Sequence, residues 1–146
     1  MLKVLVPVDG SDNAIRALDH LLKLRAANGE LDIHLLNVQI PIDSGHARMF
    51  VSQDDVERYH REEGLAALAG ARRTLDEAGV PYQYHIAVGH VADTIVRYAG
   101  EQHFDKILMG THGRGGLMQA LLGSVAHDVL ERAPVPVTLV KPATDS

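Results

Sequence analysis

Apolar residues along this chain fall alternately into short runs and into spaced stripes. Val4, Leu5, Val6 and Val8 make a nearly continuous apolar run, the pattern of a strand covered on both faces. Asp9-Gly10-Ser11-Asp12 interrupts it. Ser11 or Asp12 is placed to cap a helix whose apolar positions Ala14, Leu18, Leu21 and Leu22 share one face. Asn28-Gly29 closes that helix with residues suited to positive φ. Ile33 to Val38 reads as a second strand, and residues 39–51, with Pro41, Asp43, Ser44 and Gly45, as a loop. Ser52 with Asp55 resembles a capping box for a long helix to Ala78, with Val56, Leu68, Ala71 and Leu75 on one side. Gly79 and Pro81 stop it. A strand from Tyr82 to Val88, a helix from about Ala92 to Glu101 and a strand from Lys106 to Met109 follow. A helix from roughly Ser124 to Arg132 and a last strand from Val135 to Val140 complete the pattern.

Strands separated by helices run parallel, with right-handed crossovers that place helices on both faces. The expected fold is therefore α/β, a doubly wound five-stranded parallel sheet. The 146 residues are enough for one domain, spanning 1–146, and 46% hydrophobic with 23% charged residues suits a packed core. A net charge of −5 opposes a polyanionic backbone, and no basic run offsets it, so no nucleic-acid partner is expected. The absence of cysteine excludes disulfides, thiolate metal sites and a cysteine nucleophile. The apolar start, broken at Lys3, is too short for a secretory signal, and no stretch reaches the roughly 20 apolar residues of a membrane span. No membrane partner is expected, and the expected location is cytoplasmic.

The most informative stretch runs from Gly110-Thr111-His112-Gly113-Arg114-Gly115-Gly116 to Gly123-Ser124. Five of the 13 glycines fall in the 14 positions 110–123, where even spreading puts about one. The stretch leaves a strand at its carboxyl end and enters a helix at its amino end. Ligands of open α/β sheets bind at that place. Glycines let the backbone come close to a ligand and expose N–H groups to an anion. A helix start at Gly123-Ser124 favours phosphate, Ser124 adds a hydroxyl, Arg114 offers a guanidinium, and His112 lies within reach. Read alone, the loop is equally open to a role as a plain crossover. It contains no Gly-Lys-[Ser/Thr], and Met118 stands where Gly-x-Gly-x-x-Gly needs its third glycine.

The spacing Gly110-x2-Gly113-x9-Gly123-Ser124 resembles the ATP-binding signature of the universal stress protein family. Val-Pro-Val-Asp-Gly-Ser at 6–11 resembles that family's opening strand and turn. Leu36-Asn37-Val38 and Ala133-Pro134-Val135-Pro136-Val137 resemble its second and last strands. The resemblance implies the strand order 3-2-1-4-5, with the nucleotide between the ends of the first and fourth strands. It implies that Pro7, Val8 and Asp9 line the adenine and ribose side, with Val38 against the base. Met109, Gly110, Gly113, Gly123, Ser124 and Val125 would hold ribose and phosphates. It also implies a homodimer through the strand from Val135 to Val140, whose apolar edge asks for a covering partner. The chain departs from the pattern at Gly89-His90-Val91-Ala92, where the family often has Gly-x-Pro-Ala.

A carboxylate at Asp9, at the end of a buried strand, can accept hydrogen bonds from ribose hydroxyls or the adenine amine. It can equally close the turn into the first helix. None of the nine histidines shows a ligand spacing, so no protein metal site is expected, and apart from His112 they are expected at the surface or half-buried. Mg²⁺, where it accompanies ATP, is held mainly by the phosphates. No histidine and carboxylate pair activates Ser124, no lysine and carboxylate set for phosphoryl transfer stands out, and no catalytic residue is assigned. The expectation is an ATP-binding regulatory module of the stress response. The alternative is a slow ATPase or phosphotransfer enzyme using the same pocket.

Overall fold

The computed structural model describes residues 1–42, 52–112 and 122–141. Its elements are β1 (Leu2–Pro7), α1 (Asp12–Asn28), β2 (Leu31–Gln39), α2 (Gln53–Glu77), β3 (Gln83–Val88), α3 (Val91–Glu101), β4 (Lys106–Gly110), α4 (Ser124–Arg132) and β5 (Val137–Val140). The five strands form one sheet in the order β3-β2-β1-β4-β5, with every neighbouring pair parallel. This is the expected α/β architecture.

Side chains alternate across the sheet because successive Cβ atoms of a strand point to opposite faces. Val4, Val6 and Val8 face one way, onto Ala17, Leu18 and Leu21 of α1 and Leu68, Ala71 and Leu75 of α2. Leu5 and Leu36 face the other way, onto Ile95 and Ala99 of α3 and Ala126 and Val129 of α4. Two helices cover each face.

The ladders are unequal. β1 pairs β2 through six positions, from Leu2 with Leu31 to Pro7 with Leu36. Between β1 and β4 the register holds only Val4 with Lys106 and Leu5 with Ile107. The two central strands therefore part toward their carboxyl ends, and a crevice opens where the strand order of the sheet reverses.

Local chemistry sets the boundaries. Ser52 caps α2 as expected, its Oγ accepting the Asp55 N–H at 3.2 Å. At α1 the cap differs from the expectation. Ser11 holds the N-cap position, but its side chain makes no capping bond. The Ser11 N–H instead donates to Asp9 Oδ1 at 2.9 Å, so a carboxylate two residues upstream organises the entry. Gly29, at φ 93, returns its N–H to the Arg25 carbonyl and ends α1. The last strand begins at Val137, two residues later than its apolar run begins. Pro134 and Pro136 carry no N–H for a ladder, and pairing to β4 starts with the Pro136 carbonyl accepting the Ile107 N–H. His90 caps α3 by position at ψ 133, so the helix starts at Val91 without the proline of the family pattern.

Two histidines depart from the expected surface placement. His34 and His60 are 7% and 5% exposed. On the α3 side of the sheet, Asp32 Oδ1 lies 3.0 Å from His34 Nε2, and His34 Nδ1 lies 2.9 Å from His85 Nε2. The two rings are 6° apart in plane with centroids at 5.2 Å, the separation of a head-to-head hydrogen bond rather than of stacked faces. Tyr98 and Phe104 pack around the pair, with Lys3 Nζ 4.5 Å from the centre of the Phe104 ring.

Candidate functional site

The crevice between the ends of β1 and β4 encloses about 500 Å³, within the range of small-molecule sites. Its walls come from β1, α1, β2, α3, β4 and α4 and from the turns that follow the strands. Pro7 ends β1, and Val8 and Asp9 continue it into the turn. Val8 is fixed at both ends of its peptide. Its N–H donates to the Leu36 carbonyl at 2.8 Å, and its carbonyl accepts Asn37 Nδ2, also at 2.8 Å. Asn37 is 3% exposed and takes Gln39 Nε2 on its own Oδ1, so a buried amide locks the backbone at the mouth of the site.

The opposite wall begins at Met109 and Gly110 and continues through Thr111 and His112. The Thr111 carbonyl accepts the Gly123 N–H at 2.8 Å, which brings the start of α4 against the end of β4. Gly123 is the N-cap of α4, and its carbonyl accepts the His127 N–H. Ser124, Val125 and Ala126 are then the first-turn residues, whose N–H groups have no acceptor within the helix. All three line the crevice. The positive end of a helix thus sits on its wall.

Ten of the twelve expected residues fall among the described ones. Pro7, Val8, Asp9, Val38, Met109, Gly110, His112, Gly123, Ser124 and Val125 all border this one cavity. Gly113 and Arg114 lie outside the described residues. Asp9 serves the turn through Ser11 and also borders the cavity. Ser11, Leu36, Ile40, Val91, Ile95 and Thr111 line the cavity as well, although the sequence did not single them out for it. Their signal was their neighbourhood: Ser11 and Thr111 follow strand ends, and Leu36 precedes the Asn37 that breaks an apolar run.

The chemistry of the walls is divided. Val38, Ile40, Val91 and Ile95 offer an apolar side, and Asp9 an acceptor. The polar side carries Ser124, Thr111, His112, Ser11 and the α4 N–H groups. Two of its atoms are buried with no hydrogen-bond partner, Ser11 Oγ and His112 Nε2. Buried polar atoms in folded proteins are nearly always satisfied, and among the described residues these two have no partner. Among the described residues no cluster of three or more His, Cys, Asp or Glu side chains is arranged to hold a metal, and no helix is long and apolar enough to cross a membrane.

Comparison with known proteins gives a consistent picture. The sequence profile of the universal stress protein family matches residues 1–141. Universal stress protein MJ0531 of Methanocaldococcus jannaschii is 32% identical over 141 residues, covering 95% of this chain and 81% of that protein. The solved structure of protein MJ0577, from the same organism, superimposes with a TM-score of 0.81 at 28% identity, covering 99% of this chain and 98% of that one. A universal stress protein crystallised in complex with cAMP superimposes with a TM-score of 0.71 at 25% identity, covering 97% and 98% of the two chains.

Proposed function

Because this chain belongs to the universal stress protein family, and its central crevice joins an apolar wall to a helix start, we propose that it holds an adenine nucleotide, ATP, as a regulatory module of the stress response. The observation that carries the reading is the pair of buried, unpartnered polar atoms, Ser11 Oγ and His112 Nε2, beside the first turn of α4. A phosphorylated ligand supplies acceptors to such groups and to the N–H groups of that turn.

In this reading the base lies against Val38 and the apolar wall, and Asp9 takes a ribose hydroxyl. The phosphates meet Ser124 Oγ, the N–H groups of the first turn of α4, and Gly113 and Arg114 of the glycine loop. Mg²⁺ comes with the phosphates and asks for few protein ligands. The complex of a relative with cAMP supports an adenine ring in this fold. The module acts in the cytoplasm as a homodimer through its last strand, and its occupancy by nucleotide biases what it binds.

Mass spectrometry of the small molecules released on denaturing the purified protein identifies the natural nucleotide. Calorimetric titration of the stripped protein should then give a submillimolar Kd for ATP and a weaker one for GTP. No heat with ATP ends the proposal, and equal affinity for GTP removes the base-reading role of Val38 and Asp9.

A further inference from the structure

Gly110 and Gly123 bring two backbones to the polar end of the crevice, but something has to hold them there. Gly110 has no Cβ, and one built on it would lie 2.9 Å from the Asn13 Cβ and 3.2 Å from the Asn13 carbonyl oxygen. The first turn of α1 therefore presses directly on the exit of β4. Asn13 is the second residue of α1, half-buried, and its side chain uses that contact. Asn13 Nδ2 donates to the His112 carbonyl at 2.6 Å, across 99 positions of sequence. A carbonyl only accepts, so the amide nitrogen must be the atom that faces it.

The bond lands on the residue whose ring nitrogen is orphaned. His112 Nδ1 lies 3.0 Å from Thr111 Oγ1, which leaves Nε2 buried and without a partner on the wall of the crevice. Three ties thus fix the entry to the glycine loop: Thr111 N–H to the Val140 carbonyl, Gly123 N–H to the Thr111 carbonyl, and Asn13 to the His112 carbonyl. Only the third comes from a side chain, and only it reaches from α1. Ser11, two residues before Asn13, carries the other orphaned atom.

We propose that Asn13 is a positioning residue for the phosphate end of the nucleotide: its amide holds the His112 carbonyl, and so sets where His112 Nε2 meets phosphate. The proposal rests on the nucleotide reading above and deepens it. Asn13 does not line the crevice itself, so it touches neither base nor sugar. Its loss should therefore be felt by phosphates and not by the nucleoside.

The test compares ATP with adenosine as titrants of the wild-type protein, Asn13→Ala and Asn13→Leu. Leucine keeps the approximate shape without the donor, and adds no charge beside the phosphates. Both variants should bind ATP about tenfold more weakly, the scale of one lost hydrogen bond, while their adenosine affinity changes less than about twofold. Their melting temperatures without nucleotide serve as the control for folding. If ATP and adenosine weaken together, Asn13 is a general packing residue and the proposal falls. If neither weakens in a folded variant, His112 is positioned without it and the proposal falls equally. A wild-type protein that takes up adenosine but gains nothing from phosphates also overturns it. A wild-type protein that binds neither ligand removes the nucleotide reading itself.

Discussion

Gly123 sits at φ −63 and ψ 152, angles open to any residue, so freedom of the backbone is not what reserves the position for glycine. Crowding is. A Cβ there would lie 2.9 Å from the Thr111 carbonyl oxygen and 3.3 Å from the His112 Cα, both main-chain atoms. Gly123→Ala should therefore displace the Thr111-His112 wall and weaken ATP binding by about tenfold or more, leaving the core untouched. Calorimetry on the folded variant checks this, and wild-type affinity would mean that the wall yields freely. The glycine was legible in the sequence, while the reason for it was not, because close approach depends on what α4 is laid against. Asn37 shows the same division. A lone amide in an apolar strand marks a special position, but its partner, the Val8 carbonyl 29 residues away, is set by strand order alone. Asn37→Leu strands that buried carbonyl and frees Gln39, so denaturant unfolding should show a loss of about 1–3 kcal/mol. A variant as stable as the wild type would show that the Val8 carbonyl finds another donor.

At the scale of elements, β1, α2 and α4 were readable because their signals are local: a doubly apolar run, a capping serine, a glycine-serine entry. The histidine pair was not, since it joins β2 to β3 through a register that the sequence does not display. One of its protons can be assigned by chemistry: the Asp32 carboxylate accepts only, so His34 Nε2 carries the hydrogen between them. Burial first, then His34 and Lys3, push the His85 pKa below its usual 6.5. Tyr98, packed on His85, is raised by its own burial and stays a neutral phenol, so it offers no countercharge. The unfolded chain then binds the His85 proton more readily than the folded one. Stability is full above the unfolded pKa and is lost as pH falls through the folded one. Melting temperature should drop as pH falls below the ordinary histidine value of 6.5, and the drop should shrink in His85→Gln, which cannot titrate. An identical pH profile in the variant would assign the acid sensitivity to other groups.

At the scale of the whole molecule, a sheet in the order 3-2-1-4-5 leaves two edges, β3 and β5. Val137, Thr138, Leu139 and Val140 remain half-exposed on β5, and its outer N–H and C=O groups face no other strand among the described residues. An apolar edge of this kind recruits a partner unless it is shielded. Pro134 and Pro136 shield only the approach to it, and the first charge comes at Lys141, after the strand has ended. Antiparallel pairing of β5 with the same strand of a second copy satisfies both edges about a two-fold axis, and the two copies share one geometry of contact. The nucleotide crevice is built within one chain, from the ends of β1 and β4 and the start of α4. Assembly and binding should therefore separate. Replacing Val137 and Leu139 together with lysine places two charges on the strand, and light scattering should then report the mass of one chain where the wild type reports two. Each variant chain should still take up one ATP in calorimetry. A wild-type mass of one chain at micromolar concentration ends the dimer proposal. A lysine variant that remains a dimer moves the interface away from β5, and one that loses ATP together with its partner would mean that the second copy helps to build the site.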